Sequence, residues 1–298
     1  MGEQAVRIAA SRTPALKVFA LGSLRIFRDS KEIETSAWLR RKSHSLFAYL
    51  VCARPRRVHK EELIEVLWKN ADPERGLHSL QVALSDLRAA LANGGPRREG
   101  RAFVCRVGEH YSLDVGPAGW VDAETFEAEC EAGRQADIAG DAEGALRHLE
   151  AADRLYAGDF LAEERFADWV AARRERLSEQ HLDALQRLMR LHESANRVEM
   201  AATTAKELLS ADPFNEACYR ALMRYLGVLG SPGSVVRTYL RCQKAMREGF
   251  DSEVAPETRK LAEALIGSSV DSIAPRHGQV QHRYLYGPVA RVAGRERI

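Results

Sequence analysis

The chain has 298 residues, 45% of them hydrophobic and 29% charged, which places it among soluble globular proteins of about two domains and leaves no run near the roughly 18 apolar residues a bilayer crossing needs. Its five cysteines, Cys52, Cys105, Cys130, Cys218 and Cys242, are odd in number and far apart with no C-x-x-C pair, excluding a disulfide framework or a zinc knuckle and fitting reduced, core-filling thiols in a cytoplasmic protein. The net charge of +2 hides a split: residues 1–116 carry 20 Lys and Arg against 13 Asp and Glu, residues 117–268 carry 19 against 27, and residues 269–298 carry 5 against 2, so only the front of the chain is suited to an anionic partner.

Residues 1–15 are expected to be a flexible leader, since Glu3, Arg7 and Arg12 break the apolar content a secretion signal needs. LKVFALGSLRIF (16–27), interrupted at Gly22–Ser23, reads as two short strands; Asp29–Ser30 is the next turn and Ile33 falls in a third strand. A first helix over 41–53 buries Leu46, Phe47, Leu50 and Val51 and stops before Pro55. The spacing predicts a second over 59–70, with Leu63, Val66 and Leu67 inward and Trp68 at the rim. A third begins at Asp72–Pro73, a cap followed by a proline suited to the first helical position, and ends at Asn93-Gly94-Gly95-Pro96. Its core stripe is Leu77, Leu80, Leu84, Leu87 and Leu91; the opposite side holds His78, Ser79, Val82, Ser85 and Ala89, small and weakly charged. PRREGR then reads as a basic loop leading into a hairpin over 102–115, with Phe103, Cys105 and Val107 alternating, as do Tyr111, Leu113 and Val115, Gly108–Glu109 at the bend, and Arg97, Arg98, Arg101 and Arg106 making the approach cationic.

Strands, three helices and a hairpin in that order over about 100 residues make a winged helix-turn-helix, in which the third helix enters the major groove and the wing reaches nearby backbone. Arg75, His78, Ser79 and Val82, on the outer side of the early third helix, are the candidates for base edges. Arg40, Arg41 and Lys42 at the first helix, Lys60 at the second, Arg88 on the third and Arg106 on the wing are the candidates for phosphate, which supplies affinity without sequence information.

Residues 117–268 read as almost wholly helical, with Asp122 as the first cap. Three segments, RVEMAATTAKELLSADP, FNEACYRALMRYLGVLG and SPGSVVRTYLRCQKAMREGF, suggest helical hairpins near the tetratricopeptide spacing, a surface that takes peptides or partner helices. In DPFNE (212–216), Asp212 is expected to cap, Pro213 to start the helix and Glu216 to return to the cap. Tyr156 and Trp169 are expected in the core. Residues 269–298 lack periodicity and read as a flexible basic tail. No G-x-x-x-x-G-K-[ST], H-E-x-x-H, G-x-S-x-G or metal-ligand spacing occurs, so neither an enzyme nor a cofactor is expected.

RRKSHSLFAYL, VHKEELIEVLW, SLQVALSDLRAAL and the hairpin ending HYSLD resemble the OmpR-type winged helix of SARP-like activators, and LYAGDFL, FADWV with RRERL, DPFNEACYRALMRYL and YLRCQKAM with SEVAPETRKL resemble the bacterial transcriptional activator domain. Asp86, where relatives often carry Arg, and His110, where they usually carry Gly, are departures. The resemblance implies an α+β winged helix over 16–116, an all-α tetratricopeptide-like second domain over 117–268, sequence-specific binding to promoter DNA as a homodimer or in tandem, and recruitment of RNA polymerase. Lys69-Asn70-Ala71-Asp72, the loop before the third helix, is either a plain turn or a polymerase contact. The residues alone also allow a scaffold in which the helical repeats bind protein and the winged helix is a further interaction module, or a helical domain regulated by a small ligand.

Overall fold

A computed structural model describes residues 15–34, 38 and 41–267; residues 1–14 of the expected leader and the whole expected tail lie outside the described residues. The chain divides into two compact units at Pro213–Phe214. Among the described residues no helix is long and apolar enough to cross a membrane.

In the first unit, β1 (Leu16–Phe19) pairs antiparallel with β2 (Arg25–Arg28), and β2 with the two-residue β3 (Lys31–Glu32). Leu16, Val18 and Ile26 face inward while Lys17 is exposed, the period of a strand with one wet face. Behind them, α1 (Arg41–Cys52), α2 (Lys60–Leu67) and α3 (Pro73–Ala92) pack through Leu46, Phe47, Leu50, Leu63, Leu67, Leu80, Leu84, Leu87 and Leu91, all buried. The Asp72 carboxylate accepts from the amides of Glu74 at 3.0 Å and Arg75 at 3.4 Å, and Pro73 opens α3 as expected. At the other end Asn93 takes the left-handed conformation (φ 46°), and the Arg28 guanidinium donates to the Leu91 carbonyl at 3.1 Å and also to that of Ala92, placing a cation at a helix C-terminus.

Several expectations are corrected. PRREGR is not a loop: α4 (Arg97–Phe103) lies against α3, and a methyl group on Gly100 would come within 1.9 Å of the Arg88 carbonyl oxygen. Gly100→Ala should therefore separate the two backbones and lower the unfolding free energy by about 2 kcal/mol; an unchanged urea midpoint would show that α4 does not pack so closely. The wing contains β5 (Val104–Val107) and β6 (His110–Leu113), joined by β4 (Arg57–His59), a strand not expected from the sequence that lies between the first two helices and takes in His59, the residue read as opening the second. On the first strand the inward residue is Val104, next to buried Phe103 at the end of α4, because the helix hands over to the strand there; Tyr111 and Leu113 are buried on β6 as their alternation predicts, and Val107 is 59% exposed. Leu77 is likewise 36% exposed, one step outside the buried stripe of α3.

After the wing, β7 (Trp120–Val121) pairs parallel with β1, giving the order β3-β2-β1-β7. The first sheet thus takes its last strand from beyond the expected boundary at 116. The helices α5 (Asp122–Ile138), α6 (Ala142–Leu155), α7 (Asp168–Ser194) and α8 (Val198–Ala211) complete this unit. Asp122 is not the cap of α5, which is Val121; its buried carboxylate instead reaches back to the amides of Ala20 and Leu21.

In the second unit, α9 (Glu216–Val228), α10 (Pro232–Phe250) and α11 (Pro256–Ile266) pack around Tyr219, Leu222, Tyr239, Cys242 and Met246. Asn215, not Asp212, caps α9, accepting from the Cys218 amide at 3.0 Å. Glu216 does not return to that cap. Its Oε1 accepts from the Ala255 amide at 2.8 Å and the Thr258 hydroxyl at 2.5 Å, serving the N-terminus of α11, whose own cap residue, Ala255, has no polar side chain.

Candidate nucleic-acid interface

The outer side of α3 is the feature that the packing leaves uncovered. Arg75, His78, Gln81, Ser85 and Ala89 are exposed, and Ser79 and Val82 are half-buried. They recur at helical steps opposite the buried Gly76, Leu80, Leu84 and Leu87. Gly76 brings α2 close to α3, since a methyl group there would lie 2.5 Å from Ile64 Cγ2. This seats the first turn of α3 on α2 and turns Arg75 and His78 away from it. The Arg75 side chain makes no ion pair or hydrogen bond among the described residues, so its planar fork of donors remains available for two acceptors on a guanine edge. Gln81 was missed by the sequence reading; counting outward positions along the helix finds it.

The candidate phosphate ligands separate into groups. Arg41 is exposed at the start of α1 and has no ion pair among the described residues. Arg40 lies outside the described residues. Lys42 closes the end of α2, its ammonium donating to the Leu67 carbonyl and lying 5.9 Å from the Trp68 ring centroid. Lys60 forms an ion pair with Glu109, and its amide donates to the Glu109 carbonyl at 2.9 Å, fastening the wing tip to α2. Those contacts hold the Glu109 carboxyl below the usual carboxylate range, the Lys60 hydrogen bond first.

Arg88 is corrected: its Nε and Nη2 donate to the Val104 carbonyl at 3.1 and 2.8 Å. It is half-buried, and burial lowers its pKa. This guanidinium holds the wing's first strand against α3 instead of facing outward. At the wing tip Arg106 donates to the Gly108 carbonyl at 2.8 Å and the Glu109 carboxylate at 3.0 Å, and its side chain remains half exposed. Arg97, Arg98 and Arg101, on α4, are exposed and without ion pairs among the described residues. Exposed Val107, beside Arg106, was also missed, because the expected alternation turned it inward. Of the four arginines expected to make the approach to the wing cationic, Arg97, Arg98 and Arg101 therefore stand exposed on α4 and Arg106 is tied at the wing tip.

The loop Lys69–Asp72 is held locally by the Ala71 amide on the Trp68 carbonyl at 3.0 Å and by the Asp72 cap, and it is tied to α7 where the Lys69 ammonium meets the Asp168 carboxylate at 2.8 Å. That hydrogen bond raises the Lys69 pKa and lowers that of Asp168. Both side chains are largely exposed. Trp169 packs edge-on to Tyr49 and Tyr156 stacks on His181; both are half-buried, packed against the core and not within it.

Comparison with known proteins adds three findings. Residues 121–266 match the family described as the bacterial transcriptional activator domain. The transcriptional regulatory protein EmbR of Mycobacterium bovis, and that of Mycobacterium tuberculosis, are each 26% identical to this chain over 225 residues, covering 76% of it and 57% of the relative. A solved chain of Mycobacterium tuberculosis EmbR, in complex with a low-affinity phosphopeptide, superimposes with a TM-score of 0.66 at 24% identity, covering 86% of this chain and 66% of that one. The chain thus spans a little over half the length of the curated relatives it matches, and its fold is a winged helix followed by an all-α domain.

Proposed function

We propose, from the match of residues 121–266 to the bacterial transcriptional activator domain and the similarity to EmbR, that this SARP-like chain is a cytoplasmic, sequence-specific DNA-binding activator that recruits RNA polymerase at its promoters. The family is one of transcriptional regulators, not of enzymes. The observation that carries the DNA-binding reading is the uncovered side of α3, with Arg75 and His78 exposed above a fully packed leucine stripe. A helix that offered a second face to its own protein would bury large apolar residues there; this one offers short polar side chains that let base edges approach.

In this reading Arg75, His78, Ser79 and Val82, joined by Gln81, face the bases. Arg41, Arg106 and the exposed arginines of α4 face phosphates. Lys42 and Lys60 contribute charge from positions already bonded within the protein, and Arg88 acts only by holding the wing. Homodimeric or tandem occupancy of repeated sites, with the Lys69–Asp72 loop toward polymerase, follows the pattern of the family.

Selection of bound sites from fragmented genomic DNA would supply a duplex for measurement. Arg75→Ala should weaken binding to it by about 1–3 kcal/mol and relax preference at one base pair, with an unchanged melting midpoint. Arg88→Ala should instead lower the melting midpoint and leave the salt slope near that of the parent, since it reaches no phosphate. Binding indifferent to salt and to Arg75→Ala would favour the scaffold reading, with the helical repeats as the main interaction surface.

A further inference from the structure

A cleft of about 490 Å³ opens where the end of α1, the turn into β4 and the start of α2 face the first turns of α7. Its apolar wall is the edge-to-face pair of Tyr49 and Trp169, with ring centroids 5.1 Å apart. Its remaining lining is strongly cationic, from Arg54, Arg57, Arg173 and Arg176, against one lining carboxylate, Glu62. Glu62 is already engaged by the Tyr49 hydroxyl, which donates to it at 2.6 Å.

Two further carboxylates lie behind the arginines without neutralising them. Glu124 is shared by Arg54 and Arg56, each at 2.5 Å. Glu127 is shared by Arg173 at 3.3 Å and Arg176 at 2.8 Å. Arg57 is exposed and has no ion pair among the described residues. The Arg173 side chain is only 6% exposed, and its Nε finds no hydrogen-bond partner. Burial lowers the pKa of Arg173 and of Arg54; the nearby charge of Arg54 lowers that of Arg173 further, and the charge of Arg56 lowers that of Arg54. Crowded, partly desolvated cations of this kind are relieved by an incoming anion. A flat ring beside them would cover the Tyr49–Trp169 wall, and the volume is that of a small-molecule site.

We propose that this cleft binds a small organic anion carrying a flat ring, its phosphate or carboxylate held by Arg57 and Arg176 with the buried charge of Arg173 behind them, and its ring laid against Tyr49 and Trp169. Such a ligand touches the winged helix and α7 together, which makes it an effector site at their junction. The inference is independent of DNA binding.

Isothermal titration of the whole chain tests it, with phenyl phosphate, inorganic phosphate and phenol as separate probes. Phenyl phosphate should bind saturably with a Kd of about 0.1 mM, and each of the other two about tenfold or more weaker. The double variant Arg57→Ala with Arg176→Ala removes two exposed guanidinium groups and should weaken phenyl phosphate about tenfold or more while keeping its melting midpoint. Trp169→Leu should erase the preference for phenyl phosphate over inorganic phosphate and leave inorganic phosphate unchanged. No saturable heat up to about 10 mM, equal binding by the double variant, or inorganic phosphate matching phenyl phosphate would each overturn the proposal.

Discussion

Arg173→Ala is expected to lower the unfolding free energy by about 4 kcal/mol. This side chain reaches from α7 to the end of α1, where its Nη1 donates to the Val51 and Cys52 carbonyls at 3.2 and 3.0 Å. Those carbonyls belong to the last turn of α1, which has no intrahelical donor for them. Nη2 meets Glu127 at 3.3 Å, and the guanidinium carbon lies 4.9 Å from the Phe160 ring centroid. Truncation would strip the Cys52 carbonyl, leave the Val51 carbonyl with only the Arg54 donor at 3.1 Å, and remove part of a buried ion pair and a cation–π contact in one step. Arg173→Met fills the space without the donors and should recover less than half of the loss; Arg173→Lys restores the charge but cannot span both carbonyls and Glu127. Guanidinium denaturation followed by circular dichroism reads all three. A loss under about 1 kcal/mol for the alanine variant would show that α1 and α7 are held by apolar contact alone.

Asp122→Ala is expected to cost about 3 kcal/mol through the other tie between the winged helix and the helices that follow. The Asp122 carboxylate is buried and accepts from the Ala20 amide at 2.8 Å with both oxygens, from Leu21 at 2.9 Å and from Ala123 at 2.6 Å. Burial pushes its carboxyl pKa up, and the three amide bonds hold it back. Beyond Phe19, where β1 ends, Ala20 and Leu21 have no strand partner for these amides, so removing the carboxylate leaves them buried and unpaired. Asp122→Asn should lose somewhat less, because its one remaining oxygen still accepts while its NH₂ faces an amide donor. Faster hydrogen exchange at Ala20 and Leu21 in the alanine variant would report the same opening locally. Protection equal to that of the parent would refute the assignment.

Arg173 and Asp122 mark where sequence reading stops. By its local pattern Asp122 is a polar residue at a helix start and reads as a cap, since the local pattern of a cap and that of a long-range anchor are identical. Its acceptors' partners lie 101 and 102 residues earlier. Arg173 resembled any basic residue in a charged helical run. The helix over 73–92, by contrast, was legible to its ends, because Asp72, Pro73 and Asn93 act within a few residues of where they stand. The four-residue strands β1 and β2 were legible for the same reason. The helix hidden in PRREGR was not: seven residues are too few for a periodic apolar face, and α4 is held by Gly100 packing on another helix.

The amino-acid order by itself determined the succession of strands, helices and hairpin, the leucine stripe of α3 and its polar opposite side, because hydrophobic period and capping are local properties of the chain. Tertiary structure decided which cations remain available to a partner. Arg75 and Arg88 lie on one helix and are chemically the same, yet only Arg88 meets a carbonyl 16 residues away. A guanidinium is committed by whatever acceptor the fold brings within hydrogen-bond reach, and that juxtaposition exists only once distant segments have packed.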